Sequence, residues 1–286
     1  MSIVRYAGAD GRPEVGVRQN DRVHPIAGAD LASLLRLADG ELRQQLHAAA
    51  AGESLPLSGL TLLAPIDGRT EVWGAGVTYF RSREARMEES KFDRVYLDVY
   101  DADRPELFFK SVAWRVLGDG ARGGMRHDST DSIPEPEVAI VVNSSAEIVG
   151  AVICNDFTSR SIEAENPIYL PQAKTFTGSC ALSSEIVPWG ELDHPDDLTI
   201  SLDIQRSGST WFEGSASTSA MKRSYQELVT WLFSAMEFPD GVVLSTGTCI
   251  VPELGQSLIE GDEVTVRVDQ LGSLSTTMAS SGGAGR

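Results

Sequence analysis

The chain has 286 residues, 42% of them hydrophobic, enough for one large core with a small appended domain. Its formal charge of −17 argues against nucleic acid or an anionic membrane as partner, because both need a basic surface. It leaves room for an anionic small molecule in a locally positive pocket. No stretch approaches the ~18 consecutive apolar residues of a membrane span, and the opening Met-Ser-Ile-Val-Arg-Tyr lacks the apolar region of a secretory signal, so a cytoplasmic location is expected.

Residues 1–65 read as a small N-terminal α/β domain. Ser2 to Tyr6, Glu14 to Arg18 and Arg22 to Ile26 alternate like short strands, with turns at Ala9-Asp10-Gly11 and Asn20-Asp21. A helix with an acidic start is expected from Asp30, broken near Gly40 and resumed through Ala51. Leu63 to Gly68 reads as a linker into a second domain over 66–278. There the texture is mostly β, with apolar runs at Val72–Trp73, Leu107–Phe109, Val138–Val142, Ala151–Cys154, Ile186–Pro188, Leu198–Ile204, Val242–Ser245 and Glu263–Val268. Helical patterns interrupt them at Thr78 to about Tyr100 and at Ser224 to Met236, the latter with Leu228, Trp231, Leu232 and Ala235 on one face. The fold class is mixed α+β, mainly β, and not doubly wound. The small, polar residues 279–286 read as a disordered tail.

Three carboxylates stand out. Glu135 and Glu137 lie in S-I-P-E-P-E-V-A-I-V-V, and Asp156 in V-I-C-N-D-F. Residues two apart on a strand share a face, roughly 6–7 Å apart. If Val138 to Val142 and Ile148 to Ile153 form a hairpin centred on Ser145 and Ala146, Asp156 falls opposite Glu135, and Glu137 opposite Cys154 on the same face. Such a trio beside an apolar core would repel unless a cation neutralised it. An all-carboxylate set suits magnesium, manganese or calcium and not zinc. The alternative is three surface acids on a chain already rich in them. Cys154, Cys180 and Cys249, and the four histidines His24, His47, His127 and His194, show no metal spacing. The cysteines are expected as reduced, buried thiols and the histidines on the surface.

The order and spacing of several segments resemble the fumarylacetoacetate hydrolase superfamily. They are G-A-G-V-T-Y (Gly74 to Tyr79), P-E-L-F-F-K (Pro105 to Lys110), P-E-P-E, N-D-F-T-S-R, L-P-Q-A-K, S-T-G-T (Ser245 to Thr248) and E-G-D-E-V-T-V. The strings S-R-E-A-R, I-E-A-E-N-P-I-Y-L-P-Q-A-K and S-T-S-A-M-K-R resemble its sugar-acid branch, that of 2-keto-3-deoxy-D-arabinonate dehydratase. The resemblance implies a β-roll catalytic core and a homodimer or homotetramer. It also implies a Mg2+ centre (Mn2+ as substitute) ligated by Glu135, Glu137 and Asp156, in agreement with the hairpin argument.

The resemblance further implies a 2-keto acid substrate, its carbon-3 proton removed to an enolate that a Lewis acid stabilises. Loss of the carbon-4 hydroxyl then leads, after tautomerisation, to 2,5-dioxopentanoate when the substrate is a 2-keto-3-deoxypentonate. Lys174 matches the family's active-site lysine, and Glu106 a glutamate of the dehydratase branch; they are the candidates for the required acid and base. Lys174 as a charge counterweight, and Glu106 in an ion pair with Lys110 or Arg104, are the alternatives. Arg160 could neutralise a substrate carboxylate or hold its loop through a salt bridge. Gly247 and Thr248 could offer an N–H and a hydroxyl to a carboxylate, or form a simple turn. The stretch from Thr78 to Ser90, with Arg83, looks like the family's lid or an ordinary solvated helix. Arg223 reads as structural. Departures from the family pattern are Ser161 where an aspartate is common, Ser183-Ser184 where Gly-Pro is usual, and Cys249 after T-G-T. Carbon–carbon hydrolysis of a 2,4-diketo acid is the competing activity, and a keto-acid binder without turnover a third. The lack of histidine between Gly74 and Arg126 favours the dehydratase.

Overall fold

The computed structural model describes residues 1–81 and 98–281. In chain order the strands of the first part are β1 (Ser2–Ala7), β2 (Pro13–Gln19), β3 (Arg22–Pro25), β4 (Leu55–Pro56), β5 (Leu62–Leu63), β6 (Glu71–Gly76), β7 (Glu106–Val112), β8 (Arg122–Arg126), β9 (Ser132–Ile133) and β10 (Pro136–Val142). They continue with β11 (Ile148–Asp156), β12 (Thr158–Ser159), β13 (Cys180–Leu182), β14 (Glu185–Pro188), β15 (Thr199–Arg206), β16 (Ser209–Ser217), β17 (Val242–Ser245), β18 (Glu263–Val268) and β19 (Gly272–Ser281). The helices that lie wholly within the described residues include α1 (Leu31–Leu34), α2 (Asp39–Ala50), α3 (Arg160–Glu165), α4 (Leu170–Lys174) and α5 (Tyr225–Leu232).

A large sheet runs β4-β3-β2-β1-β14-β11-β10-β17-β6-β7, and a five-stranded sheet runs β16-β15-β18-β19-β8. The N-terminal strands extend the large sheet, because β1 pairs with β14 through Ile3↔Ile186 and Val4↔Glu185. Strand β10 is buried along its whole length. Ala139 and Val141 join a core shared with Leu31, Leu35, Leu42 and Leu46 of the N-terminal segment. Val138 packs with Ile200, Leu202, Val264 and Val266 of the second sheet. Ile140 and Val142 meet Leu228, Val229 and Leu232 of α5. A strand covered on both faces reads as a continuous apolar run, and each fully buried Val or Ile contributes about 1.5–3 kcal/mol before entropy is set against it. The strand that carries Glu137 is therefore anchored on both sides.

Several expectations are corrected. The helix break lies at 35–38, ahead of Gly40: α1 stops after one turn, capped by Asp30, and Gly40 sits in the first turn of α2, whose acids Asp39 and Glu41 suit a helix start. On α5 the buried face is Tyr225, Leu228, Val229 and Leu232. Trp231 is instead stacked under the Arg104 guanidinium, and Ala235 is exposed beyond the helix end. The expected tail is strand as far as Ser281, in parallel register with β8 through Ala279↔Gly124, Ser280↔Met125 and Ser281↔Arg126. Small polar residues give no local strand signal; a neighbouring strand supplies the hydrogen bonds. Most of the helix expected over 78–100, Arg83 included, lies outside the described residues.

Candidate metal centre

The hairpin β10–β11 sets the centre. Its turn is held by Asn143, whose Oδ1 accepts from the N–H groups of Ser145 (3.0 Å) and Glu147 (2.9 Å), and Ala146 takes a left-handed φ of 60°. The register is the expected one, with Glu137 opposite Cys154; a shift between Val141 and Val142 affects only the turn end. The Asp156 N–H donates to the Glu135 carbonyl at 2.9 Å, closing the ladder where Asp156 faces Glu135. One oxygen from each of Glu135, Glu137 and Asp156 falls within 4.8 Å of the others, and all three side chains are buried.

Other elements converge on these acids. Glu137 Oε2 accepts from Ser245 Oγ (2.5 Å) and from the Gly247 N–H (2.8 Å). Gly247 has φ +96°, and an added Cβ would lie 2.0 Å from Thr78 Oγ1, so glycine is required where the chain turns under the carboxylate. Thr78 donates to the Thr246 carbonyl (2.7 Å), and Thr248 donates to the carbonyl of Pro136 (3.0 Å), between the two glutamates. Lys174, the last residue of α4, contacts Glu135 Oε2, Thr158 Oγ1 (2.8 Å) and Asp156 Oδ2 (3.3 Å). Lys110, from β7, pairs with Asp156 Oδ1.

Among the described residues, three carboxylates and two ammonium groups share this buried site. Burial first, then the charges of Asp156 and Glu135, push Glu137 up to about 8, against the opposing Ser245 hydrogen bond and Lys174. Both Asp156 oxygens are buried without an aligned hydrogen bond among the described residues, although the lysines neutralise them through charge. Carboxylate oxygens clustered within reach of a single small ion, with no nitrogen or sulfur ligand in the group among the described residues, suit a hard divalent cation.

Glu106 opens β7 and lies across Gly76, where an added Cβ would come within 1.9 Å of its Oε2. Phe108 lies across Gly74 in the same manner, with the Lys174 ammonium 5.3 Å from its ring centre. The G-A-G motif thus clears a floor for two side chains of the next strand. Among the described residues Glu106 Oε2 is buried with no hydrogen-bond partner, and neither Lys110 nor Arg104 pairs with it.

Arg160 is buried, with its terminal nitrogens donating to the carbonyls of Glu253 (3.1 Å) and Pro252 (2.6 Å) and one of them 3.6 Å from Asp131. That geometry fits the loop-holding alternative. Arg223 likewise pins the carbonyls of Asp103 (3.1 Å) and Ala102 (2.5 Å). Ser161 accepts from the Thr130 N–H (3.1 Å), filling a backbone-partner role an aspartate could have taken. Burial, and after it the charge on Glu137, pushes Cys249 up to about 12, while Cys154 and Cys180 are buried free thiols. None of the histidines is buried or part of the acid cluster. Sequence reasoning missed Lys110 as a member of the centre; the signal available was an isolated lysine ending the apolar run of P-E-L-F-F-K.

A buried cluster of three carboxylates with two lysines, set among strands, could hold a divalent cation. The chain belongs to the fumarylacetoacetate hydrolase family: the model described as "Fumarylacetoacetate (FAA) hydrolase C-terminal" matches residues 77–279. Residues 1–65 match "Rv2993c-like, N-terminal". The chain is 43% identical over 214 residues to a "Probable 2-keto-3-deoxyxylonate dehydratase" of Haloferax volcanii, covering 75% of this chain and 73% of the relative. It is 40% identical over 228 residues to a "2-dehydro-3-deoxy-D-arabinonate dehydratase" of Saccharolobus solfataricus, covering 78% and 76%. A solved structure of "2-keto-3-deoxy-D-arabinonate dehydratase complexed with magnesium and 2,5-dioxopentanoate" superposes with a TM-score of 0.81 at 31% identity, over 98% of this chain and 99% of that one.

Proposed function

We propose that this chain is a divalent-metal-dependent hydro-lyase that removes water from a 2-keto-3-deoxypentonate to give 2,5-dioxopentanoate. The observation that carries the reading is the buried trio Glu135, Glu137 and Asp156 with Lys174 upon it. The whole-length likeness to a dehydratase complexed with magnesium and 2,5-dioxopentanoate supports it.

In this reading Glu135, Glu137 and Asp156 hold Mg2+, with Mn2+ as substitute. A cation held there would supply Lewis-acid stabilisation for negative charge on the keto oxygen. Lys174 and Glu106 divide the proton work: one takes the carbon-3 proton, and the other protonates the departing carbon-4 hydroxyl. The buried Oε2 of Glu106, without a hydrogen-bond partner among the described residues, supports its place in that pair. Gly247, Thr248 and Thr78 keep Glu137 in position through the contacts described above. Arg160 acts through the 252–253 loop, and Arg83 remains a candidate for closing on the substrate carboxylate. A homodimer or homotetramer and a cytoplasmic location belong to the same reading, supported by the family resemblance.

The test is an assay with Mg2+ on 2-keto-3-deoxy-D- and L-pentonates beside a 2,4-diketo-3-deoxy sugar acid, followed by mass spectrometry. Loss of water to 2,5-dioxopentanoate is expected. Cleavage of the diketo acid to pyruvate and a hydroxy acid, with the pentonates untouched, would replace the lyase by a hydrolase.

A further inference from the structure

The sequence offers Lys110 only as an ion-pair partner for Glu106, and the structure gives it another task. Between the pairs Trp73↔Phe109 and Val72↔Ser111, strand β7 holds one residue more than β6, and that residue is Lys110. A bulge of this kind bends a strand and re-aims a side chain. The re-aimed ammonium is fully buried, donates to the carbonyls of Phe157 (3.0 Å) and Lys174 (2.5 Å), and meets Asp156 Oδ1. An ammonium has three protons, and here three oxygens from two separate chain segments surround it. Phe157 directly follows Asp156, and the Lys174 carbonyl ends α4. One nitrogen thus ties the backbone beside a metal-site acid to the backbone beneath the acid–base lysine.

We propose that Lys110 is a positioning residue that fixes Asp156 and Lys174 relative to each other. The inference rests on the metal-centre reading above and deepens it. The two lysines divide the labour: Lys174 contacts side-chain oxygens of Glu135, Asp156 and Thr158, while Lys110 adds two main-chain carbonyls to its contact with Asp156 and stays where the bulge puts it.

A counterweight acts through charge alone, so removing it would make the cluster more negative and bind a cation at least as tightly. A positioner acts through geometry, and losing such an outer partner weakens metal binding about 10–100-fold. The sign of the change separates the two. The probe is Mn2+, titrated into full-length wild type, Lys110→Met and Lys110→Arg and followed by electron paramagnetic resonance, with circular dichroism to establish folding. The expected result is Mn2+ binding weakened at least about 10-fold in Lys110→Met, with an altered bound-Mn2+ spectrum. A smaller loss in the same direction is expected in Lys110→Arg, which keeps the charge but not the three-way fit. Folded variants that bind Mn2+ as tightly as wild type, or more tightly, overturn the proposal. If Lys110→Met does not fold, Lys110→Arg decides alone: weakened binding supports positioning, and wild-type affinity refutes it. This readout needs no substrate, so failure of the pentonate assay and failure of this proposal are separate results.

Discussion

Gly76→Ala isolates Glu106 without touching it. The added methyl would stand 1.9 Å from Glu106 Oε2, 2.6 Å from its Cδ and 3.2 Å from its Cγ. Ordinary contact begins near 3.4 Å, so the carboxylate oxygen has to move by about 1.5 Å. Gly76 lies in a strand and is not among the residues with positive φ, so alanine brings no backbone strain. The displaced atoms are the end of a flexible side chain, and the stability cost should stay near 1 kcal/mol. Misplacing a catalytic group by about 1 Å costs on the order of 100-fold in rate, or about 2.7 kcal/mol in the barrier. The expectation is kcat down at least ~100-fold with Mn2+ affinity and melting temperature close to wild type. Steady-state kinetics on the pentonate, with a Mn2+ titration and a thermal melt, make the comparison. A Gly76→Ala enzyme with the wild-type kcat would show that the carboxylate position seen here is not the one used, and Glu106 would leave the mechanism.

Asp156→Ala should abolish Mg2+-dependent turnover and weaken Mn2+ binding beyond calorimetric detection while the fold persists, because one of three oxygen donors is gone; unchanged affinity would remove Asp156 from the ligand set. Lys174→Met should retain Mn2+ and lose turnover by about 100-fold or more, and a full-rate variant would return the lysine to a counterweight role. Asp240 ties Arg36 of the N-terminal segment to Arg69, and hydrogen bonds from Arg69 and then Arg36 outweigh burial to lower its carboxyl to about 2. A depressed acid stabilises fully above its unfolded pKa of about 4 and loses that contribution as pH falls through its folded value, between about pH 4 and pH 2. Both arginines are more than half exposed, so solvent screening leaves roughly 1 kcal/mol. Urea unfolding of wild type and Asp240→Asn should differ by that amount at pH 7 and converge toward pH 2; a gap constant with pH would discard the ion-pair account.

The arrangement of the three acids was legible in the residues themselves. A strand repeats every two residues, so Glu135 and Glu137 share a face. A turn near Ser145 and two apolar runs then fix which residue faces which, and the bulge at Val142 changes only the turn end. Local order fixed this much because a hairpin is local. The G-A-G motif was visible as a family string, but its purpose was not, since the side chains it accommodates come from β7, some 30 residues on. Arg160 was open between substrate and loop; the carbonyls that hold it lie about 90 residues away at Pro252 and Glu253. The strand character of Ala279 to Ser281 came from β8, not from their own composition.

Lys110 marks the boundary most clearly. Its sequence neighbours say only that a lysine ends an apolar run. Its role depends on a one-residue bulge, on Asp156 from β11 and on the last carbonyl of α4, which come together only when the sheet is assembled. The sequence by itself determined the short-range geometry, the strand period and turn that align the acids. Tertiary structure alone brought Lys110 to them, because a buried charge takes its partners from whatever the fold brings near and not from the residues beside it in the chain.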